Sequence, residues 1–126
     1  MLEITDEEFQ DLINEAFDEL PNNQTASLKN VALLYEYDPT PEQRLKLQLR
    51  NDQTLFGLYE GVPLSERQGE TKVFPDKITV FKNPLCSVVR SREQLKAAIK
   101  HTLWHEIGHY YGLDHDRIHQ IERNWQ

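Results

Sequence analysis

The chain has 126 residues, a formal net charge of −7 at pH 7 and one cysteine. This length supports a single domain over residues 1–126, and one cysteine excludes a disulfide scaffold and favours a reducing compartment. The acidic balance argues weakly against nucleic acid as a partner, because phosphate binding needs basic patches.

The acidity belongs to the first 20 residues, which contain eight carboxylates and no lysine or arginine. The other 106 residues have 14 basic and 13 acidic side chains and therefore sum to +1. This acidic start lacks the basic and apolar regions of a signal peptide, and no apolar run reaches the roughly 18 residues of a membrane span. We expect a cytoplasmic protein that does not contact a membrane.

The first predicted helix begins at Thr5 and ends before Pro21. Thr5 and Glu8 form a T-x-x-E capping box. The carboxylates are expected to form the solvated face of this helix. Apolar residues at helical spacing predict one buried stripe, made of Phe9, Leu12, Ile13, Ala16, Phe17 and Leu20.

Short strands are predicted in the middle of the chain, at residues 31–37, 54–59 and 77–82. Residues 42–50 alternate apolar and polar, which favours another strand, although their composition also suits a short helix. The stretch 60–76 contains glycine, proline and many charges and is predicted to be a loop. Pro84 is expected to end the last strand.

A second long helix is predicted to begin at Ser91, which forms an S-x-x-Q capping box with Gln94. Gly112 fits the position after a helix that takes the left-handed conformation, and a short helix is expected over 115–123. The apolar stripe consists of Leu95, Ala98, Ile99, Thr102, Leu103, Ile107 and Tyr110. Helix, strands and helices in this order predict an α+β fold.

The second long helix contains an H-E-x-x-H motif formed by His105, Glu106 and His109. Four residues are about one helical turn, so both imidazoles project from one face and can reach one zinc ion. Glu106, next to the first histidine, is placed to act on water at the metal. The motif predicts His105 and His109 as metal ligands and Glu106 as the catalytic residue.

A third ligand is predicted at His115, which completes H-E-x-x-H-x-x-G-x-x-H. Gly112 can turn the chain back over the metal. Three protein ligands and an open position are typical of a catalytic zinc site. Asp114 or Asp116 is an alternative third ligand; otherwise Asp114 is a candidate to orient an imidazole from behind.

Three neighbouring residues have simpler interpretations. His101 and His119 each lie one turn from a predicted ligand and are expected on the solvated surface. Trp104 projects away from the apolar stripe and is expected either to pack on another element or to be exposed.

The extended motif resembles that of the zincin metallopeptidases, with a metzincin-like third histidine. The chain as a whole is similar to the small bacterial zincin-like metallopeptidases, which are predicted zinc-dependent proteases. In that family, the position of His115 often carries aspartate. The resemblance is carried by Phe56 to Leu64 with Glu66 and Arg67, by Pro75 to Phe81, and by His105 to Arg117.

The resemblance implies a minimal zincin: a small mixed sheet packed on the N-terminal helix and the motif helix, without a large second subdomain. It implies a zinc-dependent metallopeptidase that hydrolyses peptide bonds, with Zn²⁺ as cofactor and Glu106 as general base. The expected partner is a peptide or protein substrate, with no nucleic acid. The oligomeric state is not indicated.

The substrate is expected to lie extended beside an edge strand, either 54–59 or 77–82. The loop 60–76 is a candidate rim of the cleft, and Glu60, Glu66 and Arg67 are alternatively an ion-pair network. Stabilising the oxyanion needs a further group besides zinc. Candidates for that role are Tyr110, Tyr111 and Arg117.

Only 11 residues follow His115 and the only methionine is Met1, so the Met-containing turn of true metzincins is not expected and the cleft should be shallow. Two other functions share the pattern. A bacterial rRNA-maturation endoribonuclease family has H-x3-H-x5-H, but Glu106 belongs to the peptidase pattern and the chain has no basic cluster. The other is a catalytically weak zinc-binding module.

Overall fold

The computed structural model describes residues 1–26, 28, 31–61 and 76–123. Within these residues the fold is α+β, with helices packed on a small mixed sheet, as the sequence predicts. In chain order the elements are α1 (Asp6–Asp18), α2 (Asn22–Thr25), β1 (Val31–Glu36), α3 (Pro41–Lys46), β2 (Gly57–Glu60), β3 (Asp76–Phe81), α4 (Lys82–Ser87), α5 (Arg92–Tyr111) and α6 (His115–Arg123). None of the described helices is long and apolar enough to cross a membrane.

Both long helices begin where the sequence predicts. Thr5 and Glu8 exchange both bonds of the capping box at the start of α1. The Ser91 side chain accepts a bond from the Gln94 backbone, but the Gln94 side chain accepts from the N–H of Arg90, so this second box is only half formed. The predicted short final helix is α6.

The prediction of a strand over 42–50 is wrong, because residues Pro41–Lys46 form α3. Thr40 and Gln43 form a complete capping box, and Pro41 occupies the first turn, where its missing N–H is tolerated. Leu45 is 81% exposed, so the alternating leucines do not mark a buried strand face. Local capping signals therefore outweigh the period-two pattern here.

The sheet has the order β1-β3-β2, with β1 parallel and β2 antiparallel to β3. The three strands match the predicted segments with bounds shifted by up to three residues. Residues 62–75 of the predicted loop 60–76 lie outside the described residues. Pro84 does not simply end a strand: α4 follows β3 directly and contains Pro84 in its first turn.

The core forms where α1 and the sheet both pack against α5. Every residue of the stripe predicted for α1 is buried except Phe17, which is partly buried. The side chain of Cys86 in α4 is also buried. Trp104 is also buried, and its Nε1 donates to the backbone oxygen of Ile118 at 3.2 Å, which joins α5 to α6.

The acidic face of α1 is not only solvated, because several of its carboxylates pair with basic side chains of α4 and α5. The pairs are Lys82–Asp6 (2.7 Å), Arg92–Glu8 (3.3 Å), Arg92–Glu15 (3.7 Å), Lys96–Glu15 (3.9 Å) and Lys96–Glu19 (2.7 Å). Three basic side chains therefore balance part of the negative charge of the first 20 residues within the fold.

We expect Lys82→Met to make the free energy of unfolding less dependent on pH in the acid range. Hydrogen bonds from Lys82 and from Tyr37 hold the pKa of Asp6 below its usual value. A carboxyl with a lowered folded-state pKa contributes stability above its unfolded pKa of about 3.9, and this stability is lost as the pH falls through the folded value. Urea unfolding should show the variant less stable than wild type at about pH 7 and closer to wild type at about pH 2.

The control is Lys46→Met at an exposed position of α3, which should show no such convergence. An equal difference between Lys82→Met and wild type at both pH values would contradict the prediction.

Candidate metal and catalytic site

The three predicted histidines come together in the structure. One ligand atom from each of His105, His109 and His115 lies within 4.8 Å of the other two. Two nitrogens bound to one tetrahedral zinc at about 2.0–2.1 Å lie roughly 3.3 Å apart. Nε2 of His109 and Nε2 of His115 are already 3.3 Å apart. Three imidazole nitrogens and this separation fit zinc. The ligand atoms that lie farther apart, up to 4.8 Å, would have to move slightly closer to bind the same ion.

Gly112 brings His115 back to the end of α5. Its φ is 79°, a left-handed conformation that glycine adopts without strain. The backbone N–H of Leu113 then donates to the oxygen of Gly108 at 2.9 Å, which closes the helix terminus. As a result α6 begins at His115, directly beside the last turn of α5.

Gly108 allows α6 to pack this closely on α5. A Cβ atom at Gly108 would lie 2.5 Å from Cγ1 of Ile118, the one buried residue of α6. A side chain here would therefore push α6, and His115 with it, away from the motif helix. The glycine inside the H-E-x-x-H motif has a packing role that the sequence analysis did not identify.

Glu106 is buried in spite of its charge, and its carboxylate contacts one residue of β2 and one of α5. Its Oε1 accepts a hydrogen bond of 2.9 Å from the backbone N–H of Tyr59 in β2. The same oxygen lies 3.2 Å from Nδ1 of His109. The carboxylate is thus fixed between the edge strand and a predicted ligand.

The pKa values of two predicted ligands move in opposite directions. The hydrogen bond with Glu106 raises the pKa of His109, whereas burial lowers the pKa of His105 because it disfavours the charged ring. When Nδ1–H of His109 donates to Glu106, Nε2 is left as the electron-pair donor, on the side of His115. Glu106 therefore sets the orientation in which His109 can bind a metal.

Strand β2 is the edge of the sheet next to the motif helix. The N–H of Phe81 donates to the oxygen of Phe56 at 2.9 Å, so Phe56 directs its carbonyl toward β3. Backbone groups of alternate residues in a strand point to opposite sides, so Gly57 and Tyr59 direct theirs away from β3. The bond from Tyr59 to Glu106 agrees with this alternation.

Gly57 lies where β2 comes nearest to α5. A Cβ atom there would lie 2.4 Å from Cγ2 of Thr102 and 3.5 Å from Cγ of Glu106. Only a residue without a side chain lets the edge strand approach the motif helix this closely. The sequence shows the glycine but not the neighbour that requires it.

A cavity of about 390 Å³ opens beside His105 and Glu106. It lies between the start of β2, one face of α5 and one face of α6. Its lining is formed by Thr54, Leu55, Phe56, Gly57, His101, Thr102, His105, Glu106, His119 and Glu122. His101 and His119 therefore face a shared cavity, although each is more than half exposed.

The three candidates for stabilising an oxyanion do not line this cavity. Tyr110 is fully buried against Tyr59. The hydroxyl of Tyr111 donates to the backbone oxygen of Gln24 at 2.7 Å, and Arg117 is exposed with its side chain at Gln120.

Two further predicted residues have other contacts. Asp114 Oδ1 accepts a 2.8 Å hydrogen bond from the N–H of Arg117 at the start of α6. That Asp114 orients the imidazole of a metal ligand stays a prediction. Glu60 lies 3.8 Å from Lys77, in agreement with an ion-pair role. The other two members of the suggested network, Glu66 and Arg67, are outside the described residues.

Comparison with known proteins agrees with this architecture. The chain belongs to the zincin-like metallopeptidase family, whose model matches residues 28–125. It is similar in fold to a conserved hypothetical protein from Thermo thermophilus, with 21% sequence identity, a TM-score of 0.58, and coverage of 86% of this chain and 94% of that one. A search of curated proteins found no significant match.

We expect Gly57→Ala to destabilise the protein by about 1–3 kcal/mol, because its methyl group overlaps Thr102. Thr102→Ser removes the overlapping Cγ2 and keeps the hydroxyl that donates to Ala98 O. In a double-mutant cycle measured by urea unfolding, Gly57→Ala should lower the free energy of unfolding by less in the Thr102→Ser background than in wild type. An equal cost in both backgrounds would show that the two residues are not in tight contact.

We expect His115→Ala to lower zinc affinity by more than about 100-fold. Removing a residue that only hydrogen-bonds to a metal ligand typically lowers the affinity by roughly 10–100-fold. His115→Asp should retain most of the affinity, because a carboxylate is also a zinc ligand. Competition with a chromogenic chelator measures both, with His101→Ala as the histidine control. Unchanged affinity in His115→Ala together with a loss in Asp114→Ala would make Asp114 the third ligand.

Proposed function

We propose that the protein is a zinc-dependent peptidase that hydrolyses peptide bonds at the three-histidine cluster. The observation that carries the proposal is the position of Glu106. This buried carboxylate lies between the outward-facing backbone of β2 and the predicted ligand His109. A carboxylate that could serve as a general base therefore lies where, in this proposal, an extended substrate backbone and a metal would meet.

His105, His109 and His115 would hold the zinc ion. Zinc bound there supplies a Lewis acid that polarises a carbonyl group and makes water more acidic. With three protein ligands, a bound zinc ion would keep a coordination position for water or substrate.

Glu106 acts as the base for the attacking water. Its carboxylate takes a proton from the water and transfers it to the nitrogen of the leaving amine, so that it is regenerated after each turnover. The hydrogen bond from Tyr59 holds Oε1 in place, and burial keeps the carboxylate away from bulk water. Because the base is oriented before substrate binds, little reorganisation is needed in the reaction.

The substrate backbone pairs with the outer edge of β2. Gly57 presents its N–H and C=O away from β3, and its missing side chain lets β2 pack closely on Thr102 of the motif helix. Main-chain hydrogen bonds to this edge align an extended peptide without reading its side chains. This supports β2 rather than β3 as the substrate strand, since β3 lies in the centre of the sheet.

We expect Glu106→Gln to lower peptidase activity by roughly 100-fold or more while zinc binding is retained. The amide oxygen can still accept the bond from Tyr59, but the amide cannot take a proton. Activity is measured on a quenched-fluorescent peptide library with metal content determined in parallel. Glu93→Gln, at an exposed position in the first turn of the same helix, is the control and should behave as wild type.

Three outcomes would contradict the proposed function. Wild-type activity in Glu106→Gln would show that Glu106 is not the base. A zinc-loaded wild type that cleaves no library peptide would favour a zinc-binding module. Cleavage of RNA that is lost in His115→Ala would favour the endoribonuclease alternative.

A further inference from the structure

The cavity beside His105 contains a carboxylate that the proposed chemistry does not use. Glu122, in the last part of α6, lines the cavity and its side chain is 15% exposed. Among the described residues, the lining contains a second carboxylate, Glu106, and no lysine or arginine. With neutral histidines, this part of the cavity wall therefore has a negative formal charge.

Two imidazoles lie beside the Glu122 carboxylate. Nδ1 of His101 on α5 is 3.2 Å from Oε2 of Glu122, and Nδ1 of His119 is 3.8 Å from the same oxygen. The contact with His101 joins the end of α6 to α5, and the carboxylate lies at the cavity that His105 also lines. Both histidines are more than half exposed, so they can move aside for a ligand.

Two apolar residues of the cavity lining are suited to an alkyl chain. Leu55 and Phe56 line the cavity just before β2, and Phe56 is 42% exposed. Long basic side chains bury their methylene groups on apolar surface while the charged end reaches a polar partner. The cavity volume of about 390 Å³ is in the range of ligand pockets.

We propose that this cavity binds a lysine or arginine side chain of the peptide substrate and that Glu122 determines this specificity. The inference rests on the proposed peptidase function. The ammonium or guanidinium group pairs with the Glu122 carboxylate, and the chain packs against Leu55 and Phe56. An acidic side chain is disfavoured, because it would bring a like charge close to Glu122 and Glu106.

The position of the basic residue follows from the direction of the substrate. Glu106 lies level with Gly57 and Tyr59, whereas the cavity extends toward Thr54, at the start of β2. We place the peptide antiparallel to β2, the commoner kind of strand pairing, so that it runs in its C-terminal direction toward Thr54. The cavity therefore receives the side chain that directly follows the cleaved bond.

The test compares peptides that differ only at that position, with arginine, norleucine or glutamate. Wild type should cleave the arginine peptide with a kcat/KM about tenfold above the norleucine peptide, a preference that decreases with added salt. Glu122→Gln should abolish the preference, and Glu122→Lys should favour glutamate instead. Arg123→Gln changes one charge on the same helix outside the cavity lining and should leave the preference unchanged.

Binding measurements separate this inference from the proposed function. The same three side chains are placed on peptide hydroxamates, and their affinities for the zinc-loaded protein are measured by calorimetry. If no peptide is cleaved but the arginine hydroxamate still binds more tightly through Glu122, only the proposed peptidase function fails. Unfolding midpoints and zinc content identify any variant whose fold or metal site is damaged.

Three results would overturn the inference. Equal cleavage and equal binding of the arginine and norleucine compounds would show that the cavity does not recognise charge. An arginine preference retained in Glu122→Gln would place the recognition elsewhere. A second zinc ion per chain that is lost in Glu122→Gln would show that the carboxylate and its two histidines form another metal site.

Discussion

The geometry of the site depends on one hydrogen bond, from the backbone N–H of Tyr59 to Oε1 of Glu106. It joins the edge strand to the motif helix and connects two functional elements. One is the strand edge proposed to align a peptide, and the other is the helix that carries the proposed base and two predicted ligands. Gly57 makes this approach possible, because any side chain there would meet Thr102. The packing of the fold thus sets the distance between the outer edge of β2 and the Glu106 carboxylate.

The parts of the structure that rest on local chemistry could be predicted from the sequence. The capping residue Thr5, the apolar stripes and Gly112 fix the ends and the buried faces of the long helices within a few residues. The spacing of His105, His109 and His115 predicts that their side chains lie together, because helical pitch and one left-handed glycine are local properties. The α+β class and the clustering of the histidines follow from the same signals.

The remaining features depend on contacts between residues that are distant in sequence. The roles of Gly57 and Gly108 are defined by Thr102 and Ile118 on facing elements, and no local pattern shows such a neighbour. The cavity that His101 shares with Glu122 likewise exists only because α6 folds back on α5. Segment 42–50 is different, since its capping box at Thr40 is a local signal that the alternating leucines obscured.

The shortness of β2 has a further consequence for the behaviour of the protein in solution. An open sheet edge exposes unpaired backbone groups and is a template for aggregation with other copies. Strand β2 spans only four residues, and one of its outward N–H groups is already bonded to a side chain of the same molecule. Such an edge offers few consecutive partners for extending a sheet from one molecule to the next. The bond that holds the Glu106 carboxylate therefore also occupies a backbone group that could otherwise pair with another copy.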